Sequence, residues 1–108
     1  MTGGYDHAYV LDKTQAIAVE LISSGNKVKM NLITTKPSLQ VYTGNFLQHT
    51  LNRHNGEYGN FAGITLEVQF LPDSPHHPDW PQPICLLQPD QTYYYQTTYQ
   101  LIILSMIQ

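Results

Sequence analysis

At 108 residues this chain forms at most one domain with a modest core. Its formal net charge of −3, with only five Lys plus Arg, excludes the basic patch a nucleic-acid footprint requires. Charged residues are 12% of the chain, about half the usual share, which implies that part of the surface is normally covered by more protein. A single cysteine, Cys85, excludes an internal disulfide framework and fits a reduced, cytoplasmic setting.

Met1-Thr2-Gly3-Gly4 shows no signal-peptide pattern, and residues 5–11 read as a short strand that starts almost at once. In residues 15–22, Ile17, Val19 and Leu21 alternate; in residues 27–34, Val28, Met30 and Leu32 do the same. Ser23-Ser24-Gly25-Asn26 between them is turn chemistry, so the pair reads as a β-hairpin. The alanines near Thr14 favour a competing helix, but the β-branched alternation and the tight turn decide against it. Residues 35–38 turn the chain, and residues 39–43 form a strand with Leu39, Val41 and Thr43 on one face and Gln40 and Tyr42 on the other.

Residues 48–60 are polar, contain Gly56 and Gly59, and read as a loop. In the next strand Ile64, Leu66, Val68 and Phe70 alternate with Thr65, Glu67 and Gln69, which puts Glu67 in mid-strand on the polar face. Pro72, Pro75, Pro78, Pro81 and Pro83 then stiffen the following segment, because proline fixes its own φ and restricts its predecessor. Pro89-Asp90 is a turn, and residues 91–103 read as one long strand dense in Tyr and Thr. The apolar run 101–107 is far too short to span a bilayer and reads as the end of a buried strand. No segment has helical periodicity, so the expected fold is all-β with antiparallel neighbours.

The run Leu66-Glu67-Val68-Gln69-Phe70-Leu71-Pro72-Asp73-Ser74-Pro75, followed by His77-Pro78-Asp79-Trp80-Pro81, closely resembles the C-terminal signature of the aldose 1-epimerases, or galactose mutarotases. Gly4-Tyr5-Asp6-His7 with Tyr9-Val10-Leu11, and Gln40-Val41-Tyr42-Thr43-Gly44-Asn45-Phe46-Leu47, agree in order and spacing, and Thr97-Thr98-Tyr99 fits the family's last strand. The resemblance implies an antiparallel β-sandwich of the mutarotase supersandwich type, of which residues 1–108 are the C-terminal part of a single domain. It also implies a free aldohexose as substrate, no cofactor and no metal.

Interconverting anomers requires a proton to leave the C1 hydroxyl and another to reach the ring oxygen, which is general acid–base chemistry. The resemblance assigns Glu67 as the proton acceptor, where alternation alone reads a solvated surface glutamate. It assigns Asp6 to sugar hydroxyls, which a carboxylate can accept in pairs, where sequence alone reads a turn aspartate beside Gly3-Gly4. Gln40 matches a polar sugar-binding side chain, and Tyr42 shares its face and could stack on the ring; packing within a Tyr-rich sheet explains both equally well. His76-His77 with Asp79 could suggest a metal, but adjacent histidines diverge in extended chain and no thiol partner is available. His7 points away from Asp6 if the strand is regular, and His49 and His54 read as solvated.

None of these histidines matches the family's general acid, which belongs to an N-terminal portion missing here. The expectation is therefore an inactive or nearly inactive fragment. The rival enzyme is a hexose-6-phosphate epimerase, whose phosphate would need Lys13, Lys27, Lys29, Lys36 or Arg53. A rival of another class is a non-catalytic carbohydrate-binding β-sandwich, which would have no use for a base at C1; a split gene product without independent role is the third.

Overall fold

A computed structural model describes residues 3–104. The expected all-β, antiparallel architecture is what these residues adopt. The strands are β1 (Asp6–Val10), β2 (Val19–Ile22), β3 (Val28–Thr34), β4 (Ser38–Tyr42), β5 (Thr50–Leu51), β6 (Glu57–Tyr58), β7 (Thr65–Gln69) and β8 (Thr97–Ile103). They form two three-stranded sheets, β1-β4-β7 and β2-β3-β8, and a small β5-β6 ribbon. Every ladder is antiparallel. The only helical turn among the described residues is a 3₁₀ turn at Ser74–His76.

The β2–β3 hairpin closes as its turn residues require. Asn26 takes a left-handed φ of 53°, and the Ser23 hydroxyl accepts from the Lys27 and Val28 amides at 3.1 Å each. The strand before it is shorter than the alternation suggests, because Gln15 bonds back to Asp12 and regular pairing starts only after Ala18. Just three residues, Thr35, Lys36 and Pro37, carry the chain from β3 in one sheet to β4 in the other. At the far end of β4 from Tyr42, fully buried Ser38 donates its hydroxyl to the Gln69 carbonyl at 2.6 Å, tying β4 to β7.

The loop read at 48–60 contains the β5–β6 ribbon. Its turn is held by Asn52 Oδ1, which accepts from the His54 amide at 2.8 Å and the Gly56 amide at 3.1 Å. The long strand read at 91–103 is regular only from Thr97, and residues 91–96 run as irregular chain. The end of β8 is not buried: Leu101 is 71% and Ile103 84% exposed, and residues 105–107 of the run lie outside the described residues.

Among the described residues the buried large apolar side chains are Leu32 and Leu39. An open groove of about 800 Å³ borders both sheets, lined by Leu21, Met30 and Leu101 from one and by Thr43, Phe61 and Ile64 beside the other. The radius of gyration is 17.1 Å, against about 13 Å for a compact domain of this length. Both observations describe sheets whose apolar faces are only partly covered. No helix among the described residues is long and apolar enough to cross a membrane.

Candidate functional site

The central strand β4 decides which side chains meet. It pairs with β1 so that Asp6 faces Tyr42 and Ala8 faces Gln40, and with β7 so that Gln40 faces Glu67 and Tyr42 faces Thr65. Directly opposed residues of antiparallel strands share a face, so Asp6, Gln40, Tyr42 and Glu67 all stand on one side of the sheet. Gln40 is in the middle, with Asp6 on the strand to one side and Glu67 on the strand to the other. Two inter-strand spacings put the two carboxylate-bearing strands about 10 Å apart, with the glutamine amide between them.

The hydrogen bonds on this face leave acceptors free. Gln40 Nε2 donates to Asp6 Oδ1 at 2.8 Å, while Gln40 Oε1 is shielded from solvent and has no partner in the structure. The Thr65 hydroxyl donates to Glu67 Oε1 at 2.9 Å. Two residues apart on one strand, Thr65 and Glu67 are neighbours on the same face, and the threonine restricts the carboxylate's rotamers. The Tyr42 hydroxyl accepts from the Phe46 amide at 3.1 Å, which pins the ring over the start of the next turn. A row of acceptors flanked by an aromatic ring suits a polyhydroxylated ligand, whose hydroxyls supply the donors.

This face is flat and open. Asp6 and Glu67 are solvent-exposed, and Gln40 and Tyr42 are partly covered. The larger clefts lie elsewhere: the groove between the sheets, and a cavity of about 330 Å³ lined by Phe70, Ile84, Leu87 and Tyr93–Tyr95. Neither recess is lined by a carboxylate, so the register of acceptors on the β1-β4-β7 face, not concavity, identifies the candidate site.

The histidines are elsewhere. His7 pairs with Val41 on the opposite face, and its Nδ1 accepts from the Asp6 amide at 3.0 Å. His49 is exposed but not free, contacting Glu57 Oε2 at 2.9 Å, and Arg53 Nε lies 3.4 Å from His54 Nε2. His76 Nδ1 and His77 Nε2 lie 2.5 and 3.2 Å from the two oxygens of Asp73, and His77 stacks on Trp80 with ring centroids 4.0 Å apart. Among the described residues no group of three or more His, Cys, Asp or Glu is arranged to hold a metal ion.

Residues not singled out by sequence also support the site. Gln82 closes the proline-rich segment after β7: its Oε1 accepts from the Leu71 amide at 3.0 Å, and its Nε2 donates to the Ser74 hydroxyl at 2.6 Å. That bond, eleven residues long, has no periodic signature. Thr65 could have been found, since period two alone puts it beside Glu67.

A family model described as aldose 1-epimerase matches residues 1–100. The aldose 1-epimerase of Escherichia coli (strain K12) is 44% identical over 102 residues, covering 92% of this chain and 30% of that protein. That of Haemophilus influenzae is 44% identical over 80 residues, covering 73% and 24%, and the galactose mutarotase of Mus musculus is 33% identical over 103 residues, covering 93% and 30%. The chain thus spans less than a third of the length of the curated relatives it matches. With the match running from the residues before Asp6 to β8, this chain belongs to the aldose 1-epimerase family.

Proposed function

We propose that this chain supplies the base and part of the sugar-binding face of an aldose 1-epimerase, acting on free aldohexoses such as glucose or galactose. The supporting observation is the Asp6–Gln40–Glu67 row across three paired strands. Asp6 accepts sugar hydroxyls and orients the ring, Gln40 holds the Asp6 carboxylate and offers the sugar its remaining amide hydrogen, and Tyr42 stands beside it, while Glu67 takes the C1 hydroxyl proton. The C1–ring-oxygen bond then breaks, the aldehyde rotates about C1–C2, and closure on its other face returns the proton and gives the other anomer. The strand register puts no lysine or arginine on this face, which favours an unphosphorylated sugar over a hexose phosphate. It puts no histidine there either, so the acid that protonates the ring oxygen comes from the remaining two-thirds of a family-sized protein, as preceding chain or as partner. Alone, the chain is inactive or nearly so. The single thiol fits a cytoplasmic setting.

Polarimetry on freshly dissolved α-D-glucose and α-D-galactose tests the reading. This chain alone should be near the uncatalysed rate. A chimera in which it replaces the matching 102 residues of the Escherichia coli relative should be active, and Glu67→Gln in that chimera should lower kcat by about 10²–10⁴-fold with sugar binding retained. Unchanged turnover in Glu67→Gln would sink the assignment, and full activity of the isolated chain would refute the incomplete site. Rates on glucose 6-phosphate exceeding those on glucose would move the substrate to the phosphorylated sugars.

A further inference from the structure

Asp6 is the first residue of β1, where a ladder normally frays, yet the peptide just before it is the most heavily bonded in the neighbourhood. The Tyr5 amide donates to the Thr43 hydroxyl at 2.8 Å, and the Tyr5 carbonyl accepts from the Thr43 amide at 3.1 Å and from Asn45 Nδ2 at 3.0 Å. Thr43 Oγ1 and Asn45 Oδ1, 2.7 Å apart, complete the loop of bonds. The Tyr5 side chain is 56% exposed, so this residue is held by its backbone and not by burial of its ring. Asn45, by contrast, is only 3% exposed, and its amide is spent on Tyr5 and Thr43.

Two glycines make this arrangement possible. Gly44 has a φ of +68°, and a Cβ there would meet Leu47 Cδ1 at 2.7 Å and the Gly63 carbonyl at 2.8 Å. Its left-handed turn folds Asn45 back under Tyr5. A Cβ at Gly4 would press on Asn45 Oδ1 and Thr43 Oγ1 themselves, so only glycine lets the chain pass over them.

We propose that Thr43 and Asn45 are positioning residues for Asp6, gripping both ends of the Tyr5 residue and so fixing where the Asp6 carboxylate meets Gln40 and the sugar. This rests on the sugar-binding role given to Asp6 above. A displacement of order 1 Å at a substrate contact can cost about 10²-fold. The grip leaves the sheet's ladder and Glu67 untouched, so its loss acts through Asp6 on binding and orientation.

The test is a double-mutant cycle in the chimera with the Escherichia coli relative. Thr43→Val, which keeps shape and removes the hydroxyl, should raise KM about ten-fold or more with a smaller change in kcat, and Thr43→Ser should restore it. Asn45→Asp, which removes the donor to the Tyr5 carbonyl, should do the same. On an Asp6→Asn background each should cost less than about two-fold, because the residue they position no longer contributes. Equal losses with and without the Asp6 carboxylate, or Thr43→Val with unchanged KM, would overturn the positioning role and leave the proposed function standing. An inactive parent chimera would overturn both.

Discussion

Asp12 follows β1 and is satisfied within its own turn: its Oδ1 accepts from the Thr14 hydroxyl at 2.7 Å and the Thr14 amide at 2.9 Å. The hydroxyl first, and the amide second, hold the Asp12 carboxyl below the usual carboxylate range. A lowered folded-state pKa contributes stability above the unfolded value and loses it as pH falls through the folded value. In a side-chain carboxyl titration by NMR, Thr14→Val should move the Asp12 midpoint upward; an unmoved midpoint would show that the hydroxyl is not the cause. At the same scale, period two alone could group Gln40 with Tyr42 and Thr65 with Glu67. It could not say that Asp6 would join them, because that depends on β4 lying between β1 and β7, a fact of pairing order that no local pattern encodes.

Among the elements, the Lys36 ammonium sits 4.0 Å from the Tyr95 ring centroid, 4.5 Å from Tyr93 and 5.1 Å from Phe70, and donates to the Tyr93 hydroxyl. One side chain in the β3–β4 link thus gathers the end of β7 and the segment before β8. Lys36→Met keeps the aliphatic stem and removes the charge; it should lower the stability of the chimera by about 1–2 kcal/mol in chemical denaturation. An unchanged midpoint would mean that the rings pack without the cation.

The same contacts explain why residues 91–96 look like strand in sequence and are not. β3 ends at Thr34, paired with Thr97, and then turns away through Pro37, which offers no amide. Gln96 still bonds Thr35, its carbonyl accepting from the Thr35 amide at 3.0 Å and its amide donating to the Thr35 hydroxyl at 2.9 Å; the chain before it is outside the ladder, with Tyr93 and Tyr95 set against Lys36. The hairpin, β4 and β7 were legible because apolar residues recur at every second position along each of them. The β5–β6 ribbon was not, since two-residue strands are too short to show a period.

For the molecule as a whole, two partly filled sheets and the exposed end of β8 predict a chain that seeks cover. Purified alone, it should show a concentration-dependent mass and bind an apolar dye, and both should disappear in the chimera. A monodisperse, dye-silent monomer would mean that these surfaces need no further protein. Under the proposed function the acid must find Glu67 at a fixed address, and Ser38 helps to hold that address. A slip of β7 by one residue would throw Glu67 onto the wrong side, and a slip of two would carry it about 7 Å past Gln40. A hydroxyl that never meets solvent or sugar, latched on the Gln69 carbonyl, is the index mark against both errors.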